Sequence, residues 1–292
     1  MALLKVGLLS PGDMGHTVGR VLIDHGIQVK TCLLGRSQRT HMLAHEAGIE
    51  PVPTYEQLVR DTDMILSILV PAEAVKAATL VAGALKATGG QIVYVDCNAI
   101  APATVRKLEK IITRVGSRFV DVGIIGGPPT RPGITRLYAS GTDAVEFKRL
   151  SEYGLDIRVI GTDSGQASGL KMTYAALTKG TTALATELLM AARRAGLYDT
   201  LVQELRGSQA ERYASLERSV PVMPTKARRW VSEMEEIAKT FDGLGLTPKI
   251  LKGAADIYRF VGESSLADET PETWDKNRTL AQVIETLAQN DD

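Results

Sequence analysis

Cysteine is scarce in this chain of 292 residues: there are two, Cys32 and Cys97, each inside an apolar run. Two are too few for a disulfide scaffold, and they read as buried, reduced thiols of a cytoplasmic protein. Net charge is absent as well, with 34 Lys and Arg against 34 Asp and Glu. A polyanion demands a basic surface, so nucleic acid is not expected as a partner. Every apolar run is cut short by Gly, Pro or charge, so no membrane span is expected. Lys5 precedes no long apolar core with a cleavage site, so no secretory signal is expected either. The four histidines, His16, His25, His41 and His45, fall in or beside the first two expected helices without a matching ligand set. Neither a metal centre nor a Ser-His-Asp set is visible.

What is present suits a globular protein of one large or two medium domains, 44% hydrophobic and 23% charged. Its opening stretch carries the strongest signal. An apolar run from Leu3 to Leu9 has the length of a buried strand, and Val18, Val21 and Leu22 repeat at helical spacing. Between them lies Ser10-Pro11-Gly12-Asp13-Met14-Gly15. Strand, glycine turn and helix in this order have the layout of a dinucleotide-binding turn, with an ordinary strand–turn–helix as the plainer alternative. Gly12 lets backbone approach a pyrophosphate, Gly15 lets the helix pack closely on the strand, and the helix N-terminus favours the phosphates. Ser10 stands where the first glycine of G-x-G-x-x-G would be.

Gly26 ends the first helix and Val29–Leu34 forms a second strand. The tip of that strand selects the dinucleotide. An NAD site places a carboxylate there for the ribose 2′-hydroxyl. This chain has Gly35-Arg36-Ser37, followed by Gln38 and Arg39. Arg36 and Ser37 can hold a 2′-phosphate, which points to NADP. The plainer alternative makes Arg36 a solvated loop residue and Ser37 an N-cap.

Alternation continues: helix Ser37–Ala47, strand Ile49–Val52, helix Tyr55–Arg60, strand Met64–Val70 ended by Pro71, helix Ala72–Lys86 and strand Gln91–Val95. Such alternation means a parallel sheet covered on both faces, with ligands at the strand C-terminal ends. The glycine turn, Arg36, Val70-Pro71 and Asp96-Cys97-Asn98 all fall at such ends. Strand Phe119–Val122 leads to Gly126-Gly127, which reads either as an anion nest of backbone N–H groups or as a tight turn. Strands Thr135–Ser140 and Asp156–Ile160 close the sheet, giving an α/β dinucleotide-binding domain over 1–163 and a helical one over 164–292.

From Ser164 to Arg194 there is no proline, and the pattern reads as one helix of about 45 Å at 1.5 Å per residue. Lys171, Tyr174, Thr178 and Thr182 share one narrow face of it. A lysine so placed is either a snorkelling surface residue or a functional one in a cleft. Further helices follow at Thr200–Ser219, Thr225–Leu244, Pro248–Val261 and Arg278–Ala288, with no strand signal. Lys226, Arg228 and Arg229, with Glu233, Glu235 and Glu236 further on, read as a solvated, salt-bridged face, or else as an anion clamp.

The order of these pieces resembles the β-hydroxyacid dehydrogenase superfamily, which includes 6-phosphogluconate and 3-hydroxyisobutyrate dehydrogenases. Asp13-Met14-Gly15 is similar to its glycine turn, and Asp96, Asn98 and Pro102 to its Asp-x-Ser-x-x-x-Pro motif, with Asn for Ser. Gly126-Gly127 is similar to its Ser-Gly-Gly motif, with Ile125 for Ser, and Gly165 with Lys171 to its glycine and catalytic lysine. The Asn pair that follows that lysine is replaced by Tyr174 and Ala175. Gly126-Gly127-Pro128-Pro129 and Ala227-Arg228-Arg229-Trp230 point to the subgroup with a phosphogluconate-dehydrogenase-like C-terminal domain of unknown function.

The resemblance implies a Rossmann domain with an all-helical partner domain, working as a homodimer. It implies hydride transfer between nicotinamide and a small hydroxy acid or its oxo form, with a carboxylate-bearing substrate. Lys171 is the implied general acid or base and Tyr174 a candidate to share that role. Asn98, Gly126, Gly127 and Thr178 are expected at the substrate. Ser10, Pro11, Gly12, Asp13, Met14, Gly15, Arg36, Ser37, Val70, Pro71 and Asn98 are expected at the cofactor. An NADPH-dependent imine reductase and a dinucleotide-binding protein without catalysis are the alternatives.

Overall fold

The structure is a computed structural model that describes residues 4–289. Leu3, expected in the first strand, lies outside the described residues. The first half runs β1 (Lys5–Leu9), α1 (Gly15–Asp24), β2 (Gln28–Cys32), α2 (Gln38–Glu46), β3 (Glu50–Val52), α3 (Tyr55–Asp61), β4 (Met64–Ser67), α4 (Ala74–Thr88) and β5 (Val93–Asp96). Next come α5 (Pro102–Thr113), β6 (Arg118–Ile125), β7 (Arg136–Ser140), α6 (Ala144–Lys148) and β8 (Ile157–Gly161). All eight strands form one sheet in the order β3-β2-β1-β4-β5-β6-β7-β8.

Six strands, β3 through β6 in spatial order, are parallel, as alternation with helices requires. β7 departs from the expected parallel sheet: it pairs antiparallel with β6, and β8 then pairs parallel with β7. The reason is the connection. Residues 126–135 hold no helix, and a parallel return needs a crossover that usually contains one.

Because β1, β4 and β5 carry apolar residues toward both faces, two cores form. Val6, Leu8, Leu66 and Val95 meet Val18, Leu22 and Phe147 on one face. Leu9, Ile65 and Tyr94 meet Leu58, Val81 and Leu108 on the other.

The remaining elements are helical: α7 (Gln166–Arg194), α8 (Tyr198–Ser208), α9 (Ala210–Ser219), α10 (Pro224–Gly243), α11 (Lys249–Glu263) and α12 (Leu280–Gln289). Two compact units divide between Met172 and Thr173, inside α7. The single helix expected over Thr200–Ser219 is two helices, broken at Gln209 with φ −139° and ψ 44°. Gly207 and Ser208 weaken helix propensity just before the break.

The acidic run of α10 is salt-bridged as expected, and Glu235 is exposed and paired with Arg259, but the other two acids are not solvated. Glu233 and Glu236 are each 7% exposed. Lys179 Nζ lies 2.5 Å from Glu233 Oε2, and Arg229 Nε lies 3.2 Å from Glu233 Oε1. The Lys179 ammonium also sits 5.3 Å from the centre of the Trp230 ring, which meets Tyr258 edge-on. Arg228 is held by Asp268 and by the Gly262 carbonyl. Buried charges persist only when paired and hydrogen-bonded, and this group satisfies that condition.

At the end of β1, Ser10 takes φ +62°, the region a glycine would occupy in the full motif. Gly15 is required by close approach, since a Cβ there would fall 2.6 Å from the Ser10 carbonyl oxygen. A non-glycine residue in this conformation costs on the order of 1 kcal/mol or more, offset in part by the lower chain entropy of serine. Ser10→Gly is therefore expected to raise stability by about 1 kcal/mol, read from urea unfolding midpoints. A destabilised variant would show that the serine side chain matters more than its backbone.

Candidate active site

The winding of the sheet reverses between β1 and β4, and ligands of such sheets bind outside the strand C-termini at that reversal. The expected cofactor residues sit there. A Cβ added at Gly12 would meet nothing within 4 Å, so the turn leaves open space where a pyrophosphate needs it. Met14 precedes α1 without a side-chain cap, and Pro11 is buried beside the turn. At the tip of β2, Gly35 turns the chain with φ +71°, and the partly buried Arg36 has its Nε enclosed without a hydrogen-bond partner. An enclosed guanidinium nitrogen with nothing to donate to fits a phosphate ligand. Ser37 caps α2, its Oγ accepting from the Thr40 N–H, as the plainer reading has it. Arg39 was not expected at the site. Its Nη2 lies 2.5 Å from Asp13 Oδ1 and neutralises the one carboxylate in the glycine turn.

The next strand ends are tied together by Asn98. Its Oδ1 accepts from the Leu69 N–H at 2.5 Å, and its Nδ2 donates to Ser67 Oγ at 3.0 Å and Asp96 Oδ1 at 2.5 Å. At 1% exposure, the Asn98 side chain holds the chain before Val70 and Pro71. Val70 is exposed and Pro71 buried at the start of a short turn of helix.

Asp96 and Asp121 are register partners on β5 and β6, both fully buried. Burial pushes the Asp96 carboxyl up to about 8, with the Asp121 charge as the second cause. Burial raises Asp121 too, against donors from Ser168, Ser140 and Gly165. The better-solvated member is Asp121, so Asp96 keeps the proton. Burial likewise pushes the Cys97 thiol up, leaving it unreactive.

Past Ile125, Gly126 takes φ +113°, and a Cβ there would lie 1.9 Å from the Ile134 carbonyl oxygen. Gly126 and Gly127 are exposed at the strand end, and Thr135 Oγ1 donates to the Gly127 carbonyl. Lys171 is partly buried in α7, with its Cβ 3.0 Å from where a Gly123 Cβ would stand. Tyr174 is 45% exposed, and the exposed Thr178 donates back to the Tyr174 carbonyl within the helix.

Residues 5–152 match the model of the NAD-binding domain of 6-phosphogluconate dehydrogenase, half of the chain. The chain belongs to this family. Its first unit is thus a nicotinamide-dinucleotide-binding domain of an oxidoreductase type. Residues 192–261 match a domain of unknown function, DUF1932. An uncharacterised 28.5 kDa protein of Methanothermus fervidus is 29% identical over 261 residues, covering 89% of this chain and all of that one. The solved structure of the conserved protein MTH1747, whose function is unknown and whose structure is described as similar to 3-hydroxyacid dehydrogenases, is 30% identical with a TM-score of 0.66. It aligns over 88% of this chain and 98% of its own. The fold is also that of Mycobacterium tuberculosis 3-hydroxyisobutyrate dehydrogenase with L-serine, at 18% identity, a TM-score of 0.69, and coverage of 98% and 99%. Among the described residues no group of His, Cys, Asp and Glu could hold a metal ion. No described helix is long and apolar enough to cross a membrane.

A carboxyl whose pKa is higher in the folded chain binds its proton more tightly there, so acid favours the fold. For Asp96 that contribution is complete below its ordinary 3.8 and is lost as pH rises through about 8. Asp96→Asn is neutral at every pH and keeps an acceptor for Asn98. It should flatten this part of the stability curve, measured as the Tm difference from the parent between about pH 5 and pH 8. Parallel curves for the two proteins would remove the proton from Asp96.

Proposed function

We propose that the chain is an NADP-dependent oxidoreductase acting between a small, carboxylate-bearing hydroxy acid and its oxo form. Residues 1–163 serve the cofactor, and 164–292 the substrate and the assembly of a cytoplasmic homodimer. One observation carries the cofactor choice: the enclosed, unpartnered Arg36 Nε at the tip of a β2 that bears no carboxylate there. Ser10 through Gly15 would hold the pyrophosphate, Arg36 and Ser37 the 2′-phosphate, and the Val70-Pro71 segment the nicotinamide side. The nicotinamide, when bound, supplies or takes the hydride. Lys171 takes the hydroxyl proton in oxidation and gives it back to the carbonyl oxygen in reduction. Tyr174 and Thr178 follow Lys171 at three and seven residues on the same helix and assist it. The backbone N–H groups at Gly126 and Gly127 receive the substrate carboxylate.

Assembly is supported by the surface of the second unit. A groove of about 440 Å³ between α7 and α11 is lined by small and apolar residues, and Leu177, Leu184 and Ile250 stand 62–75% exposed beside it. An apolar surface of this kind marks a protein interface. Light scattering at micromolar concentration is expected to give twice the 31.4 kDa chain mass, and a monomer would refute the dimer.

A charge-assisted hydrogen bond contributes about 1.5–3 kcal/mol, so NADP(H) should bind roughly 10- to 150-fold more tightly than NAD(H). Arg36→Ala is expected to erase most of that preference in fluorescence titrations while sparing NAD(H). Equal affinities in the parent would overturn the assignment.

Turnover is to be tested with NADP⁺ and a panel of 3-hydroxy acids including L-serine, beside NADPH with cyclic imines. Reduction of imines alone would move the activity to C=N bonds. Lys171→Met keeps the stem of the side chain and should lower kcat by about 10²–10⁴-fold with NADPH binding intact. A variant within about threefold of the parent would make Lys171 structural.

A further inference from the structure

We infer that Asp121 is a positioning residue, which sets the place of Lys171 by clamping the first turn of α7 onto β6. The inference rests on the reading of Lys171 as the proton-transfer group. Asp121 lies within β6, yet its carboxylate is spent on residues far along the chain. Oδ2 accepts from the Gly165 N–H at 2.9 Å, the Ser168 N–H at 3.0 Å and Ser140 Oγ at 3.0 Å, and Oδ1 accepts from Ser168 Oγ at 2.5 Å. Ser140 Oγ in turn accepts from the Ala167 N–H at 3.0 Å. Three N–H donors at the start of α7, those of Gly165, Ala167 and Ser168, would otherwise lack partners inside the helix and are satisfied from the sheet. A carboxylate at a helix N-terminus also faces the favourable end of the helix dipole.

A second contact fixes the helix in rotation and depth. Gly123 lies on the same side of β6 as Asp121, two residues on. A Cβ at Gly123 would come within 2.5 Å of the Ala167 carbonyl oxygen and 3.0 Å of Lys171 Cβ. Ala167 and Lys171 are one turn apart on the same side of α7. The helix is thus pinned by a carboxylate at its start and pressed against bare backbone one turn later, at the residue that bears the ammonium. Both contacts are buried, and neither is used by cofactor or substrate in the proposed reaction. A catalytic group needs its supporting shell locked, because a displacement of about 1 Å can cost on the order of 10²-fold in rate.

The test uses the full chain, reductively methylated on its lysines with ¹³C-formaldehyde, with the Lys171 signal assigned by its loss in Lys171→Met. Asp121→Asn keeps the shape but turns an amide donor toward N–H donors. It is expected to shift the Lys171 signal and its titration midpoint and to lower kcat by about 10- to 10²-fold. NADPH affinity and the KM for NADP⁺ should stay within about twofold. A merely structural role would lower Tm and leave the Lys171 signal and midpoint where they are, and that result overturns the proposal. If Asp121→Asn does not fold, Ser140→Ala decides: a smaller shift of the same signal supports the clamp, and an unmoved signal refutes it. The signal is independent of turnover. A fully active Lys171→Met would therefore sink the catalytic reading while the resonance still judged Asp121.

Discussion

Two carboxylates side by side in a dry sheet can carry about one negative charge between them, and where that charge settles shapes the candidate site. Asp96 and Asp121 face each other across β5 and β6. The helix that begins after β8 delivers its opening N–H groups to Asp121, and two serine hydroxyls complete the set. Among the described residues Asp96 receives the two donors of Asn98. The charge is stabilised where the donors are, and the proton stays where they are few. Asn98 can then lean on a neutral Asp96 while its oxygen holds the chain beyond β4. Strand ends, helix start and the loop before Pro71 are in this way parts of one hydrogen-bonded unit.

Much of this fold was legible in the residues. Buried strands announced themselves as short apolar runs bounded by glycine or proline, and helices as apolar stripes, so six of the eight strand directions and both cores follow from pattern. The glycine turn was legible because Gly12 and Gly15 do different things that chemistry distinguishes: one opens space and the other closes it. Ser10 looked like a flaw in the motif, but it adopts the backbone conformation that the motif demands. The reversal of β7, and of β8 that runs parallel to it, was not legible, since local pattern carries no information on which way a strand pairs.

Side-chain partnerships were the least legible part. Asn98 matched a motif position, but nothing in the motif announces its side-chain partners Ser67, Leu69 and Asp96, two of them some thirty residues away in sequence. Asp121 lies inside a strand in the sequence and holds the start of a helix in space, which no spacing rule connects. Lys179 lay hidden among the small residues of α7, and the acids of α10 have the charge pattern of a solvated helix. Only packing reveals that Lys179 and Glu233 meet beneath Trp230. A run of Glu could have raised suspicion through its apolar neighbours: Met234, Ile237 and Ala238 place Glu233 and Glu236 near the inward stripe.

The antiparallel turn from β6 into β7 has an evolutionary consequence. Its two ends are fixed in adjacent strands, with Ile125 opposite Arg136, so the sheet holds the gap shut whatever lies between. A segment anchored in this manner can change length at a cost of only about 0.6 kcal/mol per doubling. The hinge at Gly126 must stay, because any side chain there would strike the Ile134 backbone. Residues 127–132 are free of such a constraint, and Gly133 closes the segment with φ +81°. Residues 127–132 are therefore an exchangeable cassette, open to change in length and side chains without refolding the sheet beneath.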